Sequence, residues 1–291
     1  MCVCTFKRPL YLKRLLETLG QQRTDGRFTY SVVVADNDKL QSAKTVVVEK
    51  KWSVETTYRC EPEQNIAAAR NTALGAARGD FVAFIDDDEF PVDDWLLNLF
   101  QAQLIHEADG VLGPVKPHFD EKPPTWLVRS RFCERPEHRT GLVLDWQQTR
   151  TGNVLLKRAM IEGIREPFDS RFAGGGEDCD FFRRMIAQGR VFKWCNEAVV
   201  YEVVPPSRWK KSYYLKRALL QGQNHRHWSS LSAVVKSLLA VPAYLVALPF
   251  ALLAGQHRFM KILVKLCSHV GQLAGLVGLR PMGEKYLASN G

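Results

Sequence analysis

The sequence predicts an α/β fold, with a mostly parallel central sheet flanked by helices and an apolar helical tail at its carboxyl end. Three observations predict it. Short apolar runs alternate with helical patterns from residue 1 to about 110, two of those runs end in acidic clusters, and residues 237–255 carry no charge. With 46% hydrophobic residues among 291, the chain has ample material for a packed core.

The first 110 residues follow a strand–helix alternation. Met1 to Cys4 predict a short strand, and leucines at i, i+3, i+4 and i+7 from Leu12 to Leu19 predict a helix that Gly20 ends. Further strands are expected at 30–35, 54–60 and 81–85, with a helix over 66–78 capped by Asn65 and another carrying Leu96 to Leu104. This alternation is typical of βαβ units.

Acidic residues follow two of these strands. Asp36 ends one, and the run from Asp86 to Glu89 ends another. In open α/β sheets ligands bind beyond the carboxyl ends of strands, so both clusters are expected at one site. Crowded carboxylates repel each other unless a cation lies between them, which makes Asp86 and Asp88 candidate ligands for Mg²⁺ or Mn²⁺. The alternative, acids that stabilise a helix N-terminus, suits Asp93 and Asp94.

Patterns weaken after residue 110. Short strands are expected at 153–156 and 199–202, and three glycines precede Glu177, Asp178 and Asp180. Those acids either belong to a second acidic site or simply begin a helix. The sequence therefore divides into residues 1–110, residues 111–225 of the same domain, and a tail over 226–291.

The tail carries much of the net charge of +9, because residues 226–291 hold seven Lys/Arg and one acidic residue. Its cations flank apolar runs, which favours an anionic membrane surface over nucleic acid. Residues 237–255 approach the ~20 needed to cross a bilayer, although Pro242 and Pro249 complicate a straight span. Residues 258–280, with Lys261, Lys265 and His269 at four-residue steps, are expected to lie at the interface.

The cysteines indicate a reducing compartment. All seven are scattered and form no C-x-x-C pair, so neither a disulfide framework nor a zinc cage is expected. No apolar secretory region follows the basic start. The expected location is the cytoplasmic face of the inner membrane.

Six motifs in order carry a resemblance to a known family: CTFKRP (4–9), VVVADND (32–38), EPEQNIAAARN (61–71), FIDDDEFP (84–91), TGNVLLKR (151–158) and FAGGGEDCDFFRR (172–184). Together they resemble family 2 inverting glycosyltransferases of the GT-A fold, of the bacterial succinoglycan or exopolysaccharide type. Two departures are an apparently short first strand, which suggests a start upstream, and Asn65 where the family usually has glycine. Asn tolerates positive φ, so the loop need not change.

The resemblance implies roles for the site residues. Asp36 would recognise the nucleobase of a UDP-sugar such as UDP-glucose, with Thr5 and Arg8 lining that pocket and Arg70 near the diphosphate. Asp86 would bind donor and metal, and Asp88 the metal. Asp178 would be the base that takes the acceptor proton, with Glu177 as its alternate. Turn-forming or solvated surface roles remain open for Asp36, Arg8 and Arg70.

The resemblance also implies transfer of one sugar, since the Q-x-x-R-W motif of processive synthases is absent. The apolar tail favours a polyprenyl-diphosphate-linked glycan as acceptor. Arg208, Lys210 and Lys211 either close over phosphates or form a basic surface patch. The alternatives are a sugar nucleotidyltransferase, which would need a glycine-rich phosphate loop after the first strand, and a non-catalytic nucleotide-sugar-binding membrane scaffold.

Overall fold

A computed structural model describes residues 1–172, 175–224 and 231–279. Residues 173–174, which include the first glycine before Glu177, residue 225, and parts of the predicted tail (226–230 and 280–291) lie outside the described residues. The described chain forms two compact units, one of residues 1–118 with 135–203 and one of 119–134 with the chain from 204 onward. The predicted boundaries at 110 and 225 stay a prediction.

Seven of the described strands form one sheet in the first unit, in the order β3-β2-β1-β4-β8-β6-β9. Its strands are β1 (Cys2–Thr5), β2 (Val32–Asp36), β3 (Thr56–Cys60), β4 (Phe81–Asp86), β6 (Gly110–Leu112), β8 (Asn153–Lys157) and β9 (Phe192–Trp194). The first four run parallel, and β8 pairs antiparallel with both β4 and β6. The predicted, mostly parallel sheet is confirmed.

Helices cover both faces of this sheet. The first unit contains α1 (Pro9–Leu19), α2 (Lys44–Val48), α3 (Ile66–Ala76), α4 (Trp95–His106) and α6 (Glu177–Ala187), and α5 (Thr125–Ser130) belongs to the second unit. Buried side chains of α1 and α4 pack with alternate strand residues such as Val34, whereas α3 and α6 pack with the others, such as Val33. Fully burying a leucine such as Leu12 contributes about 1.5–3 kcal/mol relative to an exposed side chain.

Asn65 caps α3, as predicted, because its side-chain oxygen accepts from the Ala67 amide at 3.0 Å. Its φ of −152° is extended backbone rather than the positive φ that the glycine comparison suggested. The side-chain oxygen of Asn65 is therefore needed as a helix cap. The loop does not require a residue with positive φ at this position.

A second, smaller sheet was not predicted in full. Three described strands form it, in the order β5 (Glu89–Pro91), β10 (Val200–Val203) and β7 (Val115–His118). Glu202 of β10 pairs with Glu89 of β5, so two carboxylates are neighbours in register. Strand β5 of this sheet begins at Glu89, the last residue of the acidic run that follows β4.

The second unit is helical. After α5 it contains α7 (Lys211–Asn224), α8 (Leu231–Leu253) and α9 (Gln256–Leu276). Among the described helices, α8 has the length and composition that could cross a membrane. It continues through Pro242 and Pro249 without interruption.

Candidate active site

The acidic clusters predicted to meet lie at the carboxyl ends of adjacent parallel strands. Thr5 pairs with Asp36 across β1 and β2, and Cys4 pairs with Asp86 across β1 and β4. Because these three strands run in the same direction, their ends lie at one edge of the sheet. The loops after β1, β2 and β4 therefore face a common region.

Asp87, the second acid of the run, connects the loop after β4 to the end of β1 and the loop that follows it. Thr5 Oγ1 donates to Asp87 Oδ2 at 2.8 Å, and Arg8 Nη1 donates to Asp87 Oδ1 at 3.0 Å and Asp88 Oδ2 at 3.2 Å. Burial raises the pKa of Asp87, and Arg8 and Thr5 oppose that rise. Thr5 and Arg8 thus bind the acidic loop, a contact that was not predicted. Their place in a nucleobase pocket stays a prediction.

Asp36 is fully buried, and its carboxylate already accepts three hydrogen bonds. The donors are the amides of Asp38 at 3.1 Å and Ala43 at 2.8 Å, and the Tyr58 hydroxyl at 3.0 Å. Burial raises the pKa of Asp36, and these donors counteract it. A carboxylate offers about four acceptor positions, so these three donors occupy most of them. Its role in nucleobase recognition stays a prediction.

Arg70 joins two motifs that lie about a hundred residues apart in the chain. Its guanidinium donates to Glu177 Oε1, and its Nη2 lies 3.8 Å from Asp86 Oδ1. Arg70 is also buried, so most of its charge is directed at protein carboxylates. The structure therefore brings Asp86 and Glu177, at the start of α6, close to the same guanidinium.

The acids at the start of α6 have different surroundings. Glu177 binds Arg70 and is buried, and Asp180 accepts from Arg184 Nε at 2.7 Å within the helix. Asp178 is only partly buried, and its Oδ1 accepts from the Cys179 amide at 2.8 Å. These acids therefore begin a helix, and their role as a second acidic site stays a prediction. Of these three carboxylates, Asp178 alone forms no ion pair with an arginine of the described residues.

Glu89 is a buried acid whose environment the sequence did not reveal. Its Oε2 accepts from the Asp86 amide at 3.1 Å, and its Oε1 has no hydrogen-bond partner within the described residues. Burial, followed by the charge of Asp86, raises the pKa of Glu89 well above its ordinary value. Glu89 is therefore expected to be protonated across a wider pH range than a surface glutamate.

Gly152, the glycine of the TGN motif, lies against two carboxylates of the site. A Cβ at this position would lie 2.9 Å from Glu89 Oε1 and 3.0 Å from Asp86 Oδ2. The backbone needs no positive φ here, so the requirement is for space. Asp86 consequently keeps a partly open carboxylate, with 45% of its side chain exposed.

Two arginines of the site were missed by sequence reasoning. Arg135 pairs with Glu202, while Arg150 makes no hydrogen bond or ion pair with any residue in the part of the chain described. Burial and the neighbouring charge of Arg135 lower the pKa of Arg150, and the charge of Asp178 opposes this. The only sequence signal was a cation immediately before the TGN motif.

The carboxylates fit a divalent cation only in part. Across the described residues, no group of three or more His, Cys, Asp or Glu side chains is arranged to hold a metal ion. Mg²⁺, however, is commonly held by one or two carboxylates together with substrate phosphates. Asp86 is partly exposed beside the space that Gly152 leaves and meets that limited requirement, whereas Asp88 is buried and accepts from Arg8, so its role as a metal ligand stays a prediction.

Comparison with known proteins identifies the family. Residues 1–162 match the family described as Glycosyl transferase family 2. The chain belongs to this family. It is 33% identical to the succinoglycan biosynthesis protein ExoM of Rhizobium meliloti strain 1021 over 98% of this chain and 94% of ExoM. The family predicted from the six motifs is confirmed.

Other relatives of this family 2 glycosyltransferase are more distant. It is 25% identical to the R. meliloti succinoglycan biosynthesis protein ExoW over 66% of this chain and 64% of ExoW. It is 21% identical to the Escherichia coli UDP-Glc:alpha-D-GlcNAc-diphosphoundecaprenol beta-1,3-glucosyltransferase WfaP, over 54% of this chain and 59% of WfaP. The chain is thus related to enzymes of exopolysaccharide synthesis.

Solved structures establish the fold. Residues 1–349 of Staphylococcus aureus TarS in complex with UDP-GlcNAc superpose with a TM-score of 0.56 at 14% identity, covering 97% of this chain and 92% of that one. The similarity supports the GT-A fold predicted from the sequence. At this identity it carries no further conclusion about substrates.

Proposed function

We propose that this family 2 glycosyltransferase transfers one sugar from a nucleotide-sugar donor, with a UDP-sugar as the expected class, to a lipid-linked glycan. The transfer inverts the anomeric centre and depends on a divalent metal ion. It takes place at the cytoplasmic face of the inner membrane, in bacterial surface or exopolysaccharide synthesis. The observation that carries the proposal is the position of Arg70, between Asp86 of the acidic run and Glu177 of the Glu-Asp pair.

The donor end of the proposed site is the edge formed by the loops after β1, β2 and β4. Asp36, Thr5 and Arg8 shape the nucleobase pocket, and Arg70 contributes positive charge near the diphosphate. Asp86 and Asp88 hold Mg²⁺ or Mn²⁺. Once bound, such an ion neutralises charge on the departing nucleoside diphosphate. The names of two comparison proteins support a uridine donor: TarS was solved with UDP-GlcNAc, and WfaP is a UDP-Glc transferase.

The acceptor end contains Asp178. Direct displacement needs a base that removes the acceptor hydroxyl proton on the face opposite the leaving group. Glu177 and Asp180 are engaged by Arg70 and Arg184, which favours Asp178 over its alternate Glu177. Arg150 supplies a nearby positive charge that acts on Asp178 and has no ion pair among the described residues. Asp178 is therefore the proposed base.

The proposed acceptor is a glycan on a polyprenyl diphosphate. WfaP acts on a diphosphoundecaprenol-linked sugar according to its name, and α8 has the length and apolarity for membrane association. A water-insoluble acceptor would place the reaction at a membrane surface. The basic residues Arg208, Lys210 and Lys211 stay candidates for phosphate contacts.

Donor hydrolysis and sugar transfer test the proposal. Asp88→Asn and Asp178→Asn should each lower transfer at least a hundredfold, and EDTA should abolish the wild-type rate, with Mn²⁺ restoring it. Asp178→Asn should retain a UDP-induced rise in Tm, because binding to the native state stabilises it. Asp80→Asn, in the exposed residue just before β4, is the matched control. Full activity of Asp88→Asn in EDTA would rule out the metal assignment, and wild-type transfer by Asp178→Asn would rule out the base.

A further inference from the structure

The outer surface of α8 is an exposed apolar face with no covering element in the described chain. Leu239 is 69% exposed and Phe250 is 68% exposed, and both lie on a helix of mean hydropathy high enough for a membrane span. The other exposed apolar side chains of α8 are Leu231, Val235, Leu238, Leu245, Val246, Leu252 and Leu253. Apolar surface of this extent indicates a protein or membrane interaction.

The charge near α8 indicates the partner. From residue 204 to 279 the sequence contains ten Lys/Arg and no Asp or Glu, whereas residues 119–134 of the same unit contain three basic and three acidic residues. Among them, Lys236 on α8 and Arg258, Lys261 and Lys265 on α9 are exposed. An apolar helix whose charged neighbours on α7 and α9 are all cationic complements an anionic lipid bilayer, since acidic headgroups attract basic residues near their plane.

Helix α8 is packed along α9, which limits how it can enter a membrane. The turn at Ala254 and Gly255 joins the two helices at one end. At the other end, Ser237 Oγ lies 2.9 Å from His269 Nδ1 and 2.8 Å from Gln272 Oε1. The Tyr244 ring stacks on His269 with 5.7 Å between centroids. The two helices therefore form an antiparallel hairpin.

Helix α9 is in turn packed along α7. Lys211 Nζ donates to Gln256 Oε1 at 3.3 Å near the start of both helices. Near their ends, Gly222 of α7 adjoins Ser268, and Gly271 of α9 adjoins Leu219, so closely that a Cβ at either glycine would overlap backbone. The three helices α8, α9 and α7 thus form a continuous layer, with α8 at one side.

This layer is incompatible with a crossing by α8. At 23 residues α8 is about 34 Å long, enough to span the hydrocarbon. A crossing would, however, carry the paired α9 and α7 to the same depth, together with the exposed Lys261, Lys265 and Lys216. Charged side chains at that depth are strongly disfavoured unless they face a protein interior or water.

We infer that the α8–α9 hairpin lies in the plane of an anionic membrane, with the exposed face of α8 in the acyl boundary and the cations of α9 at the headgroups. This inference rests on the membrane association in the proposed function and specifies its geometry. Both ends of α8, and the turn at Ala254, then stay on the side of the membrane that holds the rest of the chain.

Two measurements on the full-length protein test the inference. Ala254→Cys, produced in bacterial cells, should react with a membrane-impermeant maleimide only after permeabilisation, with the parent chain and its native cysteines as background. Labelling of Ala254→Cys in intact cells would place the turn across the membrane and overturn the in-plane arrangement, while leaving membrane association intact.

The second measurement is flotation with lipid vesicles. Binding to vesicles with 30% phosphatidylglycerol should exceed binding to phosphatidylcholine vesicles at least tenfold. Leu239→Glu and Phe250→Glu should each reduce it at least tenfold, whereas Ile105→Glu, at an exposed isoleucine of α4, should not. Unchanged binding by both α8 variants would overturn the docking face. Absence of wild-type binding would refute membrane association as well, without affecting the separate test of sugar transfer.

Discussion

Gly152 lies against Glu89 so closely that a single added methyl group would be 2.9 Å from the glutamate Oε1. The same methyl group would be 3.0 Å from Asp86 Oδ2, so the substitution affects both acids. Either the carboxylates move or the TGN loop does. The geometry of Asp86 therefore depends on the absence of a side chain at residue 152.

Gly152→Ala should lower transfer activity at least tenfold while the protein stays folded. The expected cause is displacement of Asp86, and kcat/KM together with Tm measures it. Gly75→Ala is the matched control, because Gly75 is in helix α3 and a Cβ there meets nothing within 4 Å. That control should be neutral or stabilising by about 0.5–1 kcal/mol. Equal activity of Gly152→Ala and Gly75→Ala would contradict the proposed importance of this space.

Glu89 should make stability depend on pH. Its folded pKa is raised, so its contribution to stability is complete below the unfolded value of 4.5 and is lost as pH rises through the folded pKa. Glu89→Gln keeps an acceptor for the Asp86 amide and cannot ionise. Its stability relative to wild type should therefore increase with pH above about 4.5, as chemical denaturation at several pH values would measure.

A control of opposite sign is available at Glu197. The Thr140 hydroxyl lowers the pKa of Glu197, so that residue contributes stability above the unfolded pKa that is lost as pH falls. Glu197→Gln should therefore be less stable than wild type at neutral pH, and the difference should shrink on acidification. A Glu89→Gln profile parallel to wild type at every pH would contradict the assignment of a raised pKa.

The first part of the fold could be predicted because its pattern is local. Leucines at helical spacing identify α1, and a five-residue apolar run followed by acids identifies β4 together with the edge at Asp86. The small sheet is different. Strand β5 has three residues and ends in Pro91, so it carries too little periodicity to be recognised. Its pairing with β10, more than a hundred residues on, is decided by tertiary packing.

The arginines of the site illustrate the same limit. Arg70 was expected near phosphate, which stays a prediction. Its contact with Glu177 was not predicted, because it depends on the chain path that brings α3 and α6 together. Arg150 gave almost no signal, since a single cation in a loop is usually solvated. Its significance depends on burial beside Arg135 and Asp178, which no local pattern encodes.

Arg150→Ala should separate activity from stability. Removing a half-buried cation that lies near Arg135 relieves repulsion, so Tm should stay the same or rise. Transfer should fall at least tenfold, because Asp178 loses its positive neighbour and the site loses a candidate anion contact. Arg165→Ala, at an exposed arginine, should change neither quantity. A large loss of Tm without a change in kcat/KM would mean that Arg150 is structural.

Gly271→Ala should destabilise the packing of α7 and α9 in the second unit. Its Cα faces the Leu219 backbone so closely that a Cβ would overlap the carbonyl group, which means that α7 and α9 must separate in Gly271→Ala. Overpacking of this kind costs about 1–3 kcal/mol. Amide hydrogen exchange in α7 and α9 should accelerate accordingly, while exchange in β1, β2 and β4 stays unchanged. Val270→Ala, at an exposed neighbour on α9, is the control and should alter neither region. Unaltered protection of α7 in Gly271→Ala would contradict the close packing of these two helices.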